Sequence, residues 1–310
     1  MAAMEHAIET RQLRKTYGET VAVDGIDLRV DRGSVVAVLG PNGAGKSTTL
    51  ELLIGLRTPT SGSTRLFAQP PAKVRHLFGA MLQESQAPEA LTVAESVDLV
   101  GHYYPRRLPL AEVLARADLT TKARRKVGQL SGGQRQRLNY AMAIVGDPDL
   151  LFLDEPTAAL DVAARLRFWQ QVRDFADRGR TVVLSTHNMT EAQTLAERVV
   201  LINRGRVVAD GTPAQIAAQA LRTIRLRTSA SPDGLARLPQ VRDVRPEPDG
   251  RLVIRTAAPE EVLRALFATG ADVAELSVSD TDLEAAFLHL VDQPTPAAPE
   301  ADRAEKELSR

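Results

Sequence analysis

The nine residues Gly40, Pro41, Asn42, Gly43, Ala44, Gly45, Lys46, Ser47 and Thr48 constrain this chain more than any other segment, because they fit the pattern G-x-x-x-x-G-K-[ST]. The run Val35 to Leu39 before them has the unbroken apolar character of a strand buried on both faces. From about Lys46 to Leu56 the pattern is helical. A strand that passes through glycines into a helix start points backbone amides inward, at the positive end of the helix dipole, which suits phosphate oxygens. Lys46 adds a point charge for the β and γ phosphates. Ser47 is placed to ligate magnesium.

Bulk properties leave this anion site to do its work locally. The chain has 310 residues, with 39 Lys+Arg against 39 Asp+Glu, so no net field draws it to DNA, RNA or anionic lipid. It has no cysteine, which excludes disulfides, thiolate metal sites and cysteine nucleophiles. At roughly 100 to 200 residues per domain, the length fits one large domain or two unequal ones. Apolar runs such as Val35 to Leu39 and Leu150 to Leu153 fall far short of the roughly 18 to 20 residues that span a bilayer. The segment Met1 to Thr10 carries Glu5, His6 and Glu9 and lacks a signal-peptide core, so neither membrane crossing nor export by that route is expected.

Along the first two thirds, short apolar runs alternate with helical patterns, which predicts a mainly parallel sheet covered by helices. One strand is expected through Val21, Val23, Ile26, Leu28 and Val30, ending at the turn Asp31-Arg32-Gly33. Others are expected at Phe78 to Leu82, Leu150 to Leu153 and Thr181 to Ser185, with a closing hairpin around Asn203-Arg204-Gly205. Between about Glu84 and Gly146 helical patterns follow one another, which predicts an inserted helical subdomain. Its basic run, Lys122 to Lys126, reads as a solvated face. The expected division is a nucleotide-binding unit over 1–220, a small α+β unit over 221–291 and a disordered tail over 292–310, rich in Pro, Ala, Glu and Lys. Within the second unit, strands are expected at Thr223 to Arg227, Arg251 to Arg255 and Asp272 to Val278, and helices at Pro259 to Thr269 and Asp282 to Val291.

Two further segments carry chemistry. Leu150 to Glu155 is an apolar strand ending in two carboxylates: Asp154 would hold magnesium, and Glu155 would face the γ phosphate and polarise water. A strand-end Asp-Glu alone would read as a solvated turn; beside the phosphate loop it reads as nucleotide hydrolysis. Leu130-Ser-Gly-Gly-Gln134 precedes a helical run from Arg135 to Val145, so Ser131, Gly132, Gly133 and Gln134 form a second possible anion site at a helix start. One phosphate loop already accommodates one nucleotide, so the second site points to a partner.

With these motifs in view, the chain closely resembles the nucleotide-binding subunit of ABC transporters over about residues 7 to 218. Leu130 to Gln134 reads as the family signature, Gly40 to Ser47 as Walker A and Leu150 to Glu155 as Walker B. Tyr17 in Lys-Thr-Tyr-Gly, Gln83 in Met-Leu-Gln-Glu, Ala159-Leu-Asp161 and His187 in Leu-Ser-Thr-His-Asn follow in family order. Ala159 departs mildly from the glycine or serine usual there. The resemblance implies a P-loop NTPase cassette of α/β class with an inserted helical subdomain and an N-terminal antiparallel β-subdomain, followed here by a small C-terminal α+β domain. It implies that Tyr17 stacks on adenine, that Gln83 contacts magnesium and senses a membrane partner, that His187 contacts the γ phosphate, and that Asp161 lies at a subunit interface. Taken singly, Tyr17 reads as a half-buried aromatic, Gln83 as a strand-end polar residue and His187 as a satisfied loop histidine; their joint spacing favours the site. ATP and Mg2+ are the implied ligands. The implied partners are an integral-membrane permease, docked on the helical region, and a second copy of the chain, its signature closing the first copy's ATP site. The implied location is peripheral, on the cytoplasmic face of a cell membrane.

A narrower resemblance lies in Asp280 to Leu290, which is similar to a segment ending many ABC-2 type drug and polyketide exporter ATPases; its stripe Leu283, Ala286, Phe287 and Leu290 equally fits an ordinary core stripe. Only six lysines stand among the basic residues, a bias toward Arg that suggests a GC-rich bacterial source. The alternative of a soluble ATPase acting on ribosomes or nucleic acid is disfavoured by the neutral charge and the single Walker A loop, and no nucleic-acid partner is expected. The 46 residues between Gln83 and Leu130 are too few for the coiled coils of chromosome-maintenance ATPases that share the signature. A P-loop kinase would leave Leu130 to Gln134 unexplained.

Overall fold

A computed structural model describes residues 6–83, 85–158, 160–218, 221–279 and 283–292. The expectations that fall on Glu84, on Ala159, on 219–220 at the unit boundary, on 280–282 and on 293–310 of the tail lie outside the described residues. The elements begin with strands β1 (His6–Tyr17), β2 (Thr20–Ile26), β3 (Arg29–Asp31) and β4 (Val35–Leu39), then helix α1 (Lys46–Leu53), β5 (Ser61–Leu66) and β6 (Phe78–Met81). Three helices follow, α2 (Val93–Gly101), α3 (Leu110–Arg116) and α4 (Gly132–Ile144). Next come β7 (Leu150–Asp154), α5 (Val162–Ala176), β8 (Thr181–Thr186), α6 (Met189–Leu195), β9 (Arg198–Asn203), β10 (Arg206–Gly211) and α7 (Pro213–Ala217). The last group is β11 (Arg222–Thr228), α8 (Pro232–Ala236), β12 (Val241–Pro246), β13 (Leu252–Thr256), α9 (Pro259–Ala268), β14 (Val273–Ser279) and α10 (Leu283–Asp292).

The buried runs make the central sheet, in the order β10-β9-β4-β8-β7-β6. All its pairs are parallel except the β9–β10 hairpin, whose turn places Arg204 and Gly205 at positive φ, 49° and 76°. Period-2 alternation then sorts the side chains. Val36, Val38, Phe152 and Val183 join a core shared with α1 and the N-terminal strands, whereas Val35, Ala37, Leu39, Leu153 and Leu184 join one shared with the helices. β4, β7, β8 and β9 are buried on both faces, so each reads as an unbroken apolar run through its middle.

The N-terminal antiparallel sheet differs from the sequence expectation. β1 pairs with β2, β3 and β5, so the single strand expected from Val21 to Val30 is two. Side chains take over the backbone between them: Thr10 Oγ1 donates to Ile26 O and accepts from Leu28 N, both at 2.8 Å, and Gln12 N donates to Asp27 Oδ1 at 2.7 Å. β1 and β5 themselves escape a reading based on apolar runs, because Glu9, Arg11, Arg14 and Ser61 to Ser63 give them little apolar character.

Between Ser85 and Gly146 the regular elements are α2, α3 and α4 with short 3-10 turns, and their apolar faces join the helix-side core. The next group forms a four-stranded antiparallel sheet, β12-β13-β11-β14, with its own core of Ile224, Leu226, Leu235, Leu252, Ile254, Val262 and Leu266. The order β-α-β-β-α-β is the split βαβ arrangement. Its α8 and β12 lie in stretches that periodicity left unassigned. The final helix, expected to close this unit, packs elsewhere: Leu283, Ala286 and Phe287 of α10 enter the core that holds Leu195, Ala209 and Ile216. α10 meets α6, α7 and β10.

Candidate functional site

In parallel sheets ligands gather at the carboxyl ends of strands, and three such ends converge here. β8 lies between β4 and β7, with Leu39 in register with Thr186 and Asp154 in register with Ser185. The loop after β4, the carboxylates after β7 and the segment after β8 therefore share one edge of the sheet. Gly45 starts α1 at φ +101°, and a Cβ there would lie 2.2 Å from Ala22 O, so only glycine lets the loop turn against β2. A cleft of about 420 Å³ opens along this edge, lined by Asn42, Gly43, Gly45, Lys46, Ser47, Thr48, Gln83, Glu155 and His187, with Ala22 and Ala158.

Charge within the cleft is tightly arranged. Lys46 is buried, and its ammonium donates to Gly40 O at 2.9 Å and Pro41 O at 3.2 Å and stands 3.4 Å from Glu155 Oε1. The other oxygen of Glu155 lies 2.6 Å from His187 Nδ1. Glu155 sits at φ +48°, a left-handed conformation that costs a non-glycine residue energy, and its amide donates to Ser185 O at 3.2 Å and Ser185 Oγ at 3.1 Å. That turn swings the carboxylate off the strand direction and toward Lys46. The neighbouring Asp154 is 3% exposed and accepts from Ser47 Oγ at 3.2 Å and from Ser185 Oγ.

The donor set fits magnesium. Ser47, Asp154 and Gln83 offer hydroxyl, carboxylate and amide oxygens, the hard ligands this ion prefers. Among the described residues there is no cluster of three His, Cys, Asp or Glu able to form a complete metal cage. Three oxygen donors leave room for an ion that keeps waters and completes its shell with substrate phosphates.

The structure brings some expected residues together and leaves others apart. Lys46, Ser47, Asp154, Glu155 and His187 converge, and Gln83 lines their cleft. Gln83 also lines a second cavity of about 210 Å³ with Gln86, Glu89, Gly132, Arg135 and Asn139 of the helical segment. Tyr17 lies outside the cleft lining, 41% exposed, with Lys15 Nζ 5.3 Å and Arg57 Cζ 5.7 Å from its ring centre. Ser131 is exposed at the N-cap of α4, in a reciprocal capping box: Gln134 N donates to Ser131 Oγ at 3.3 Å, and Ser131 N to Gln134 Oε1 at 3.1 Å. Neither it nor Gly132, Gly133 or Gln134 lines the cleft of their own chain. Asp161 caps α5, accepting from Ala164 N at 2.7 Å.

Sequence reasoning named Ser185 only within a motif and passed over Glu191 and Thr157. Glu191, in α6, is 1% exposed, and its Oε1 accepts from Thr157 Oγ1 and Trp169 Nε1, both at 3.1 Å. Burial raises its pKa above the ordinary carboxylate value, against the hydrogen bonds from Thr186, Trp169 and Thr157 that lower it. A glutamate four residues after the loop histidine, in an otherwise unremarkable polar stretch, carried no signal that its side chain would be buried.

Comparison with known proteins agrees with this geometry. A family profile described as ABC transporter matches residues 23–158. The chain is 40% identical over 215 residues to the Nod factor export ATP-binding protein I of Burkholderia lata, covering 66% of this chain and 71% of that one. It is 39% identical over 223 residues to the protein of the same name from Paraburkholderia xenovorans, covering 69% and 73%. Among solved structures, a dimeric post-hydrolysis ATP-binding cassette bound to ADP and Pi superposes with a TM-score of 0.62 at 29% identity, covering 66% of this chain and 98% of that one.

Proposed function

The chain belongs to the ABC transporter family, as its ATP-binding subunit, and we propose that it powers the export of a drug-like, antibiotic or lipid-like compound through a separate permease. The subunit binds ATP with magnesium, hydrolyses it, and works with a membrane permease and a second copy of itself. The export direction is supported by the names of its relatives; the compound class rests on the resemblance of 280–290 to exporter ATPases. No described helix is long and apolar enough to cross a membrane. The proposed location is peripheral, on the cytoplasmic face, where the permease would hold the subunit.

The observation that carries the reading is the meeting of Ser47, Asp154, Glu155 and Lys46 in one cleft. In this reading Gly40 to Thr48 wrap the phosphates. Lys46 exchanges its contacts with Gly40 O, Pro41 O and Glu155 for phosphate oxygens. Freed from Lys46, Glu155 orients and polarises the attacking water, with His187 beside it at the γ phosphate. Ser47, Asp154 and Gln83 hold magnesium, which when bound neutralises charge on the β and γ phosphates. Tyr17 stacks on adenine. Ser131, Gly132, Gly133 and Gln134 of the second copy close the site, and Asp161 lies at that interface. We further read 1–220 as the cassette and 221–291 as an accessory unit, with α10 anchoring the latter to the former.

The test is transport in inside-out vesicles carrying the chain and its permease. ATP-driven uptake of a hydrophobic antibiotic, absent with Glu155→Gln, is the expected result. Uptake of no such compound by vesicles that hydrolyse ATP normally would overturn the export reading. Sedimentation with ribosomes in place of membranes would overturn the transporter reading as well.

A further inference from the structure

Glu191 is the buried titratable group that the proposed chemistry leaves unused, and its surroundings give it a task. Its Oε1 receives Thr157 Oγ1 from the turn after β7 and Trp169 Nε1 from α5, both at 3.1 Å. Thr186, on the last residue of β8, also hydrogen-bonds the carboxyl. Two of the donors stand close in sequence to residues of the site, and the third lies on the helix that Asp161 caps. Thr157 is two residues after Glu155, Thr186 immediately precedes His187, and α5 begins at the cap supplied by Asp161. All three donors are nearly or fully buried, as is Glu191 itself. The chain therefore ties three separate segments to one carboxyl group behind the cleft.

We propose that Glu191 is a positioning residue for hydrolysis: its carboxyl fixes the turn bearing Glu155 and the loop bearing His187 in one mutual geometry. The inference rests on the assignment of Glu155 to the hydrolytic step. Glu155 is held at φ +48°, and a strained turn keeps its shape only where its surroundings over-determine it. Ser185 holds the turn through the Glu155 amide on one side. Glu191, through Thr157, holds it on the other. The spacing of 2.6 Å between Glu155 and His187 depends on both anchors, because the two residues follow different strands, β7 and β8.

A network that positions without touching nucleotide separates turnover from binding. Glu191→Leu retains an apolar packing group but no acceptor, leaving Thr157, Trp169 and Thr186 without their shared partner; Glu191→Gln retains an acceptor oxygen. The expected result for Glu191→Leu is a fall in kcat of about 10- to 100-fold, the scale of an ångström-size misplacement, with KM for ATP changed by less than about threefold. Glu191→Gln is expected to recover most of the turnover. Trp169 is the chain's one tryptophan, so its emission spectrum reports whether the indole has lost its acceptor in each variant. Circular dichroism identifies a variant that fails to fold. If Glu191→Leu does not fold, Trp169→Phe, which removes one donor and keeps the carboxyl, is measured in its place and is expected to lower kcat at unchanged KM. Wild-type kcat in the folded variant, or equal loss in Glu191→Leu and Glu191→Gln, overturns the proposal. Glu155→Gln run in parallel tells the two failures apart: near-normal hydrolysis there would remove the underlying assignment, whereas its inactivity beside a fully active Glu191→Leu would remove only the role of Glu191.

Discussion

Replacing Glu155 by Gln should move binding and turnover in opposite directions, and the ion pair with Lys46 sets the size of the first effect. At 3.4 Å and an effective dielectric constant near 20, the Lys46–Glu155 attraction is about 5 kcal/mol gross. Both groups are largely buried, so desolvation offsets most of this, leaving on the order of 1–2 kcal/mol net. A nucleotide that recruits Lys46 must give up that amount. The amide variant removes the competitor while keeping side-chain size and a backbone equally able to adopt φ +48°. ATP should therefore bind about 5- to 30-fold more tightly, since 1.4 kcal/mol is tenfold. Turnover should fall by about 10² or more, the usual scale for loss of an acid-base group, which is about 2.7 kcal/mol or more in barrier. Isothermal titration with ATP and magnesium, beside steady-state phosphate release, measures the two effects. Weaker ATP binding in the variant would refute the competition argument, and hydrolysis within threefold of wild type would refute the role of Glu155.

Ser131→Ala should cost about 1 kcal/mol of α4 stability through the lost cap, leave ATP affinity of the single chain unchanged, and reduce ATP-driven dimerisation measured by sedimentation velocity. The raised pKa of Glu191 makes the folded chain hold a proton there that the unfolded chain releases above its ordinary value of 4.5. Its stabilising contribution is thus complete below pH 4.5 and is lost as pH rises through the folded value, so wild type should lose stability relative to Glu191→Gln over that rise, as read by denaturant midpoints across the pH range. Phe287→Ala opens a cavity in the core shared by α10, α6 and α7 and should cost about 3 kcal/mol or more. Hydrogen exchange should then quicken in α7 and β10 and stay unchanged in β11 to β14; the reverse pattern would refute the packing assigned to α10.

Much of the cleft was readable because its parts are punctuated. Gly40 to Ser47 announce themselves by glycines between a wholly apolar strand and a helix, and Asp154 and Glu155 by ending another such strand. Strands buried on both faces, β4, β7 and β8, were found within a residue or so of their ends. Strands with little apolar patterning were missed or merged. β1 and β5 are polar, and the break between β2 and β3 depends on the side chains of Thr10 and Asp27, which no local pattern encodes. β12, Val241–Pro246, is an edge strand whose mixture of Arg, Asp and Val resembles a loop. The stripe on α10 was visible, but amphipathicity says that a face is covered, not by what. Glu191 was unreadable for a related reason: a single glutamate in a polar stretch acquires meaning only when Thr157, Trp169 and Thr186 fold around it.

The separation of Ser131 from the cleft is itself an argument about assembly. Within one chain, Lys46, Ser47, Glu155 and His187 line a single cleft. Ser131 and Gly132 are exposed and Gly133 and Gln134 half-buried, and none of the four lines the cleft of their own chain. The capping box does not use them up. Ser131 Oγ accepts from Gln134 N through a lone pair and keeps its own proton to donate, and the α4 dipole still favours a negative group at that end. A donor so placed is free to meet a second copy of the chain, as the proposed function requires. With one Walker A loop and one signature per chain, a two-fold pair satisfies both motifs twice over and leaves neither unmatched. Gln83 lines both the cleft and the cavity beside α4, so in the proposed function it would carry a change at the γ phosphate to the helical segment.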